Sequence, residues 1–191
     1  LPDVAVVPSE HFNTVLWTGN DTARTISGVG FQPDFTWIRN REISTFHLLF
    51  DAIRGAGNAL RSSSTNAEST GATDELTAFA SDGFTLGTGE DVNGNAEGIV
   101  AWNWKANGSG SSGSSGTGGL SVVNSANVDA GFSIISWTGN MGVDTFSHGL
   151  SKAPEFLIVK NRDNAGTNWI AWHKDFATNH NISLNLTNPS S

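Results

Sequence analysis

Cysteine and tyrosine are both absent from this chain of 191 residues. Without cysteine, neither a disulfide framework nor a thiolate metal site can form. No apolar run approaches the roughly 18 residues of a membrane-spanning helix, so no membrane span is expected. Charged residues are only 15% of the chain, and the formal net charge is −8. Because phosphate groups bind basic surfaces, the sequence predicts no nucleic-acid partner.

Glycine, tryptophan and phenylalanine are well represented instead, with 22, 7 and 11 residues. The glycine content is well above the usual share of about 7%. A polar but weakly charged composition of this kind is typical of many short strands joined by tight turns. It is also typical of secreted and virion-surface proteins. The start, Leu1-Pro2-Asp3-Val4, lacks methionine, which predicts a fragment of something longer.

The chain contains an internal repeat. Residues 12–20 (FNTVLWTGN) return at 132–140 (FSIISWTGN), and residues 33–41 (PDFTWIRNR) return at 154–162 (PEFLIVKNR). The separation is 120 residues for the first pair and 121 for the second. A repeat of this length predicts a tandem β unit. Such units build appendages and binding arms more often than enzymes, so we expect no enzymatic activity and no catalytic residue.

Short apolar and alternating runs predict an all-β fold of antiparallel β-sandwich or jelly-roll modules in tandem. Residues 12–17 and 34–40 are typical strands with two distinct faces. Residues 46–50 are nearly all apolar, which predicts a strand buried on both faces. The segment 73–79 is the single helical candidate, with acids in its first turn. Asn93-Gly94 is the strongest hairpin signal.

The repeat and one low-complexity stretch suggest the domain boundaries. We expect an extended lead-in over 1–11, a first β-sandwich repeat over 12–106, a flexible Gly/Ser linker over 107–119, and a second, incomplete repeat over 120–191. The second copy has counterparts of the first only as far as Ser69. Either the chain is truncated, or the missing strands come from another chain. The two repeats could also share one sandwich, with the Gly/Ser stretch as a long surface loop.

Four residues are the candidate ligand contacts: Trp169, Trp172, Asp91 and Asn93. The two tryptophans differ in strand parity, so we expect one of them to be exposed. The segment 90–95 (EDVNGN) offers oxygen ligands that suit calcium, the single cofactor considered, but it suits a hairpin turn better. No other metal or cofactor site is predicted. The remaining five tryptophans are expected in the core: Trp17, Trp37, Trp102, Trp104 and Trp137.

Several blocks of the sequence resemble, in order, a repeat module common in tail-fibre and other appendage proteins of tailed phages, especially phages of marine bacteria and cyanobacteria. In the first repeat these blocks are 12–20, 28–41 (GVGFQPDFTWIRNR), 47–55 (HLLFDAIRG), 81–86 (SDGFTL) and 99–106 (IVAWNWKA). In the second repeat they are 133–140, 148–162 and 169–174. The resemblance implies concanavalin-like β-sandwiches. Related sandwich domains bind glycans, but the resemblance implies no particular catalytic or binding residues.

The expected function is therefore that of a structural virion protein on the outer face of a tailed phage, as a tail fibre, appendage or surface decoration. Its partners would be other virion proteins and further copies of itself, as a trimer if it is a fibre. The loops 20–23, 51–58 and 91–97 are expected to face outward, where they would contact a host-surface glycan or a neighbouring subunit. The alternative is a freestanding, lectin-like carbohydrate-binding module of a secreted or surface protein.

Overall fold

A computed structural model describes residues 6–116 and 118–187. Short strands dominate it, together with a 3₁₀ turn at Pro8–Glu10 and a one-turn helix, α1, at Glu90–Asn93. The strands are β1 (Phe12–Thr18), β2 (Arg24–Ser27), β3 (Phe35–Asn40), β4 (Leu48–Asp51), β5 (Leu60–Arg61), β6 (Leu76–Ala80), β7 (Gly83–Leu86), β8 (Gly98–Trp104), β9 (Ser111–Ser112), β10 (Ser121–Asn127), β11 (Phe132–Thr138), β12 (Phe156–Val159), β13 (Ile170–His173) and β14 (Ile182–Ser183). The predicted all-β, antiparallel class is confirmed.

The first repeat forms two antiparallel sheets with an apolar core between them. The larger sheet has the order β1-β8-β3-β4-β5 and the smaller one β2-β7-β6. Alternation along the strands explains the core, since Thr36 and Ile38 of β3 are buried while Phe35 and Trp37 are half-buried on the other face. The buried cluster draws on both sheets, and its largest fully buried members include Phe50, Phe84, Ile38, Leu48, Leu76, Leu86 and Ile99.

All four residues of β4 are buried, as the apolar run over 46–50 predicted. Leu48 and Phe50 face the core of the sandwich, whereas Leu49 belongs to a second apolar cluster on the outer face of the larger sheet. The strand begins later than predicted, because Phe46 lies before it and is 40% exposed. This strand is buried on both faces because the second repeat covers the outer one.

The second repeat packs on that outer face. Trp169 is 4% exposed and lies in one cluster with Leu49 and Leu60, and its indole N–H donates a hydrogen bond to the Arg61 carbonyl at 2.9 Å. The backbone N–H of Glu68 also donates to the Arg162 carbonyl at 2.8 Å. Apolar burial and directional bonds therefore both attach the second repeat to the first.

An ion-pair network reinforces the same junction. The Arg54 guanidinium, 5% exposed, binds the carboxylates of Asp51 and Glu68, the latter at 2.8 Å. Glu68 also accepts from Arg162 of the second repeat at 3.3 Å. The Arg54 side chain also donates to the carbonyls of Asn58 and Leu49, so each of its three nitrogens is hydrogen-bonded. A buried charge set of this kind fits the interior because its members are paired and hydrogen-bonded.

The second repeat does not form one sheet like that of the first. It forms two separate three-stranded sheets, β11-β10-β9 and β12-β13-β14. Part of the predicted flexible linker belongs to the first of these, since β9 pairs with β10. Gly110 makes this approach possible, because a Cβ atom there would collide with the Asn124 carbonyl. The boundaries proposed from the sequence otherwise remain predictions.

Several local predictions are wrong. The helical candidate 73–79 contains the start of β6, where pairing with β7 and full burial of Leu76 outweigh the weak helical signal. The Asn93-Gly94 hairpin is instead the end of α1, with the Gly94 N–H bonded to the Glu90 carbonyl. Of the expected lead-in over 1–11, residues 1–5 lie outside the described residues, and residues 8–10 form the 3₁₀ turn Pro8–Glu10. None of the described helices is long and apolar enough to cross a membrane.

Candidate functional site

A cleft of about 450 Å³ opens where the lead-in, the β1–β8 edge and the β10–β11 loop meet. This volume lies within the usual range of ligand pockets. The cleft lies between the two repeats, so neither repeat alone would form it. It is lined by Val6, Pro8, His11, Phe12, Trp104, Asp129, Ala130, Gly131 and Phe132.

Aromatic rings form one wall of this cleft. Phe12 of β1 and Trp104 of β8 are paired across the ladder, and their ring centroids lie 4.9 Å apart. Phe132 of β11 stacks on Trp104 with centroids 6.0 Å apart and an interplanar angle of 22°. Phe35 supports the group from β3, 5.3 Å from Trp104. Phe12 is 40% exposed, so part of this aromatic surface faces solvent.

His11 and Asp129 also line the cleft, and Asn127 contacts His11 from outside the lining. The Asn127 side chain lies 2.8 Å from Nδ1 of His11 and donates to the Lys105 carbonyl at 3.2 Å. Its oxygen also accepts from the N–H of Ala130 at 3.1 Å, which shapes the loop that carries the exposed Asp129. The cleft therefore combines apolar ring surface with a carboxylate and an imidazole, a combination that suits a small ligand with one apolar face and several hydroxyl groups.

Trp169 was predicted as a ligand contact, but it is buried. It lies inside the junction between the repeats and is not available to an external ligand. Trp172 is half-buried on β13, one step along the strand from the buried Ala171. Neither tryptophan is therefore exposed as the parity argument expected, and neither lines the cleft.

Asn93 lies inside the sandwich and Asp91 is half-buried beside it, and neither residue lines the cleft. Asn93 is fully buried, and its amide donates to the carbonyls of Thr22 and Gly87 at 2.8 and 2.9 Å. The Asp91 carboxylate accepts from the N–H of Phe46 at 3.3 Å. These bonds give both residues structural partners. In the described part of the chain, no group of three or more His, Asp or Glu side chains is placed to hold a metal ion.

The tryptophans predicted to form the core have different environments. Trp17 lies in the core, and its indole N–H donates to the Val92 carbonyl at 3.1 Å. Trp37, Trp102 and Trp137 are half-buried. Trp104 lines the cleft, because the side chains of β8 that share its parity face outward from the sandwich. The sequence does contain a signal for the cleft, since Phe12 and Phe132 are identical at the start of both repeats.

The three predicted loops also differ. Residues 20–23 are exposed, as expected. The loop 51–58 is instead drawn inward by the Arg54 network, and 91–97 is exposed only in part. The two carboxylates closest to Arg54, of Asp51 and Glu68, share one guanidinium, which gives them the character of a structural network and not of an acid–base pair.

Comparison with known proteins gives one family. A family model described as a domain of unknown function (DUF7483) matches residues 7–191. The chain belongs to this family. No curated protein and no solved structure matches the chain. The DUF7483 match contains both repeats and every residue of the cleft except Val6.

Proposed function

We propose that this protein is a structural component of a tailed-phage virion, in a tail fibre, appendage or surface decoration, that displays β-sandwich repeats outward and catalyses no reaction. The main observation in support of this function is the buried junction between the repeats. Trp169 and the network of Arg54, Glu68 and Arg162 hold the second repeat against the first. Two firmly docked modules act as one stiff arm, which suits display better than modules on a flexible tether. The resemblance of the repeat blocks to appendage modules supports the same function.

This proposal includes symmetric assembly with other virion proteins, as a homotrimer if the protein forms a fibre. The exposed loop 20–23 and the junction cleft are surfaces that would be available for contact with the host. The low charge and the many hydroxyl and amide side chains suit a particle surface that stays soluble.

Immunogold electron microscopy tests the location. An antibody raised against the 191-residue chain should label the tail or its appendages on phage particles recovered from the source of the gene. Particles treated with pre-immune serum are the control. Label confined to bacterial surfaces in cultures free of phage would contradict the proposal and would favour a bacterial adhesin.

A second candidate function, carbohydrate binding by a lectin-like module, is favoured by the cleft itself. Stacked aromatic rings beside a carboxylate offer an apolar surface for the C–H face of a sugar ring and an acceptor for its hydroxyl groups. The negative net charge is compatible with neutral sugars. Binding would be compatible with the virion function, since appendages attach to host surfaces.

Isothermal titration calorimetry with a panel of neutral oligosaccharides tests this candidate. Binding should be lost in Phe12→Ala and in Phe132→Ala, each of which removes a ring that packs on Trp104 in the aromatic wall. Leu16→Ala is the matched control, because Leu16 lies on the same strand and face as Phe12, is 61% exposed, and does not line the cleft. Equal affinity in all three variants, or no binding by the parent protein, would refute a sugar site in the cleft.

A further inference from the structure

The dipeptide Asn-Gly occurs twice in this chain, at Asn93-Gly94 and at Asn107-Gly108. In this dipeptide the glycine nitrogen can attack the side-chain amide carbon of the asparagine, because glycine has no side chain to hinder the approach. The reaction needs a free glycine N–H, an asparagine side chain that can turn, and space for a five-membered ring. The two pairs differ in all three conditions.

Asn93-Gly94 is fixed inside the first repeat. The Asn93 side chain is fully buried, and its amide donates to two carbonyls at 2.8 and 2.9 Å. The Gly94 N–H donates to the Glu90 carbonyl at 3.3 Å, at the end of α1. A Cβ atom on Gly94 would collide with the Glu97 carboxylate, so no space is left beside this glycine. Ring closure at Asn93 therefore requires α1 to open first.

Asn107-Gly108 lies open at the start of the Gly/Ser segment 107–119. Asn107 is exposed, and a Cβ atom on Gly108 would meet nothing within 4 Å. Among the described residues, the Gly108 N–H makes no main-chain hydrogen bond of the kind that holds Gly94. Gly108 lies at a turn with a φ of +63°, a conformation that glycine adopts without strain. The nitrogen, the amide and the space are therefore all available in the folded protein.

We propose that Asn107 is a spontaneous deamidation site, which converts over time to a mixture of aspartate and isoaspartate. The Gly108 nitrogen forms a bond to the side-chain carbonyl carbon of Asn107 and loses its proton, and the amide nitrogen leaves as ammonia. Water then opens one of the two C–N bonds of the succinimide ring. Opening at the side-chain carbon gives aspartate, and opening at the main-chain carbon gives isoaspartate. The overall change consumes one water and releases one ammonia, so it needs no oxidant or other co-reactant.

The isoaspartate product lengthens the main chain where the chain is held at both ends. In isoaspartate the main chain runs through the side chain, which adds one methylene group between residues 107 and 108. On one side, the Asn107 N–H donates to the hydroxyl of the buried Ser125 at 2.7 Å. On the other side, Gly110 lies against the Asn124 carbonyl, and β9 begins at the next residue. The β9–β10 ladder has only two residue pairs, so we expect it to separate in the modified chain.

Timed peptide mapping by mass spectrometry tests the site. The 191-residue chain is kept folded at mildly alkaline pH, and the mass gain of the change from amide to acid is followed at both asparagines. Asn107 should react at least about tenfold faster than Asn93, the ratio that corresponds to an opening cost of about 1.4 kcal/mol at α1. Isoaspartyl methyltransferase, which methylates isoaspartate, should label the aged protein at residue 107. Asn107→Gln is the matched control, because glutamine must close a six-membered ring and reacts much more slowly.

Hydrogen exchange tests the effect on β9. The Gly113 N–H donates to the Val122 carbonyl at 2.9 Å, and its exchange should become faster in the aged protein. Ageing should leave this exchange unchanged in Asn107→Gln. Exchange should also be unchanged in freshly prepared Asn107→Asp, which adds the negative charge without the extra methylene group. The two variants therefore separate the effect of the longer main chain from the effect of the charge.

Three results would overturn the proposal. The first is a reaction rate at Asn107 no higher than that at Asn93. The second is unchanged exchange at Gly113 in protein that carries isoaspartate at residue 107. The third is faster exchange at Gly113 in fresh Asn107→Asp, because the charge alone would then release β9. The chemistry goes beyond the proposed virion function and does not depend on it. A loss of phage-particle labelling would leave these results unchanged, so the two proposals fail separately.

Discussion

Leu48 and Ile170 occupy equivalent positions in β4 and β13, yet Leu48 is fully buried and Ile170 is 37% exposed. The β3–β4 pairing of the first repeat recurs as β12–β13 in the second. Among the described residues, however, the second repeat has no sheet that corresponds to β2-β7-β6, which packs over the core-facing side of the first. The comparison shows that a strand's own sequence sets its conformation and its alternation of faces. The neighbouring elements decide whether the apolar face is buried.

The junction between the repeats should give the largest effect on stability. Trp169→Ala should lower the free energy of unfolding by about 3–5 kcal/mol, because it removes a large buried ring and leaves a cavity. Trp172→Ala should cost clearly less, since that ring is only half-buried. Urea unfolding followed by circular dichroism measures both changes. Equal losses would show that the junction contributes no more than the surface of β13.

The second-largest effect on the free energy of unfolding is expected at the equivalent positions Leu48 and Ile170. Leu48→Ala should lower the free energy of unfolding by about 2–5 kcal/mol. Ile170→Ala should cost about 1 kcal/mol, because part of that side chain already faces water. The same unfolding measurement gives the values.

The smallest effect is a pH dependence confined to the part of the first repeat without a second copy. Burial raises the pKa of Glu75 above its ordinary value of 4.5, and the nearby Arg61, 3.5 Å away, only partly opposes this. Because the folded protein then binds this proton more tightly than the unfolded chain does, the contribution to stability is full below pH 4.5 and is lost as the pH rises through the folded pKa.

Glu75→Gln should remove this fall in the free energy of unfolding between pH 4.5 and neutral pH. Urea unfolding across that range measures it, with Glu155→Gln as the control. Glu155 is exposed, and its hydrogen bond to Lys174 lowers its pKa, which gives the opposite sign. A parent protein whose stability rises steadily over this range, unchanged by Glu75→Gln, would contradict the assignment.

Much of the fold could be predicted from particular residues. The repeated block 12–20 marks β1 and β11, and the apolar run over 46–50 marks a strand buried on both faces. The candidate site was less predictable. Phe12 and Phe132 carry a signal as identical repeat positions, but their meeting at Trp104 depends on how the second repeat docks.

The local sequence pattern therefore determined the all-β fold class, the repeat and the position of most strands. Alternation of apolar and polar residues and the choice of turn residues both act over only a few neighbours in the chain. Tertiary structure alone decided that residues 76–80 form a strand, that Asn93 is a buried hydrogen-bonding residue, and that Trp169 lies in the junction. The physical reason is that burial and pairing depend on residues distant in the chain. The Trp169 indole, for example, binds the carbonyl of a residue 108 positions away.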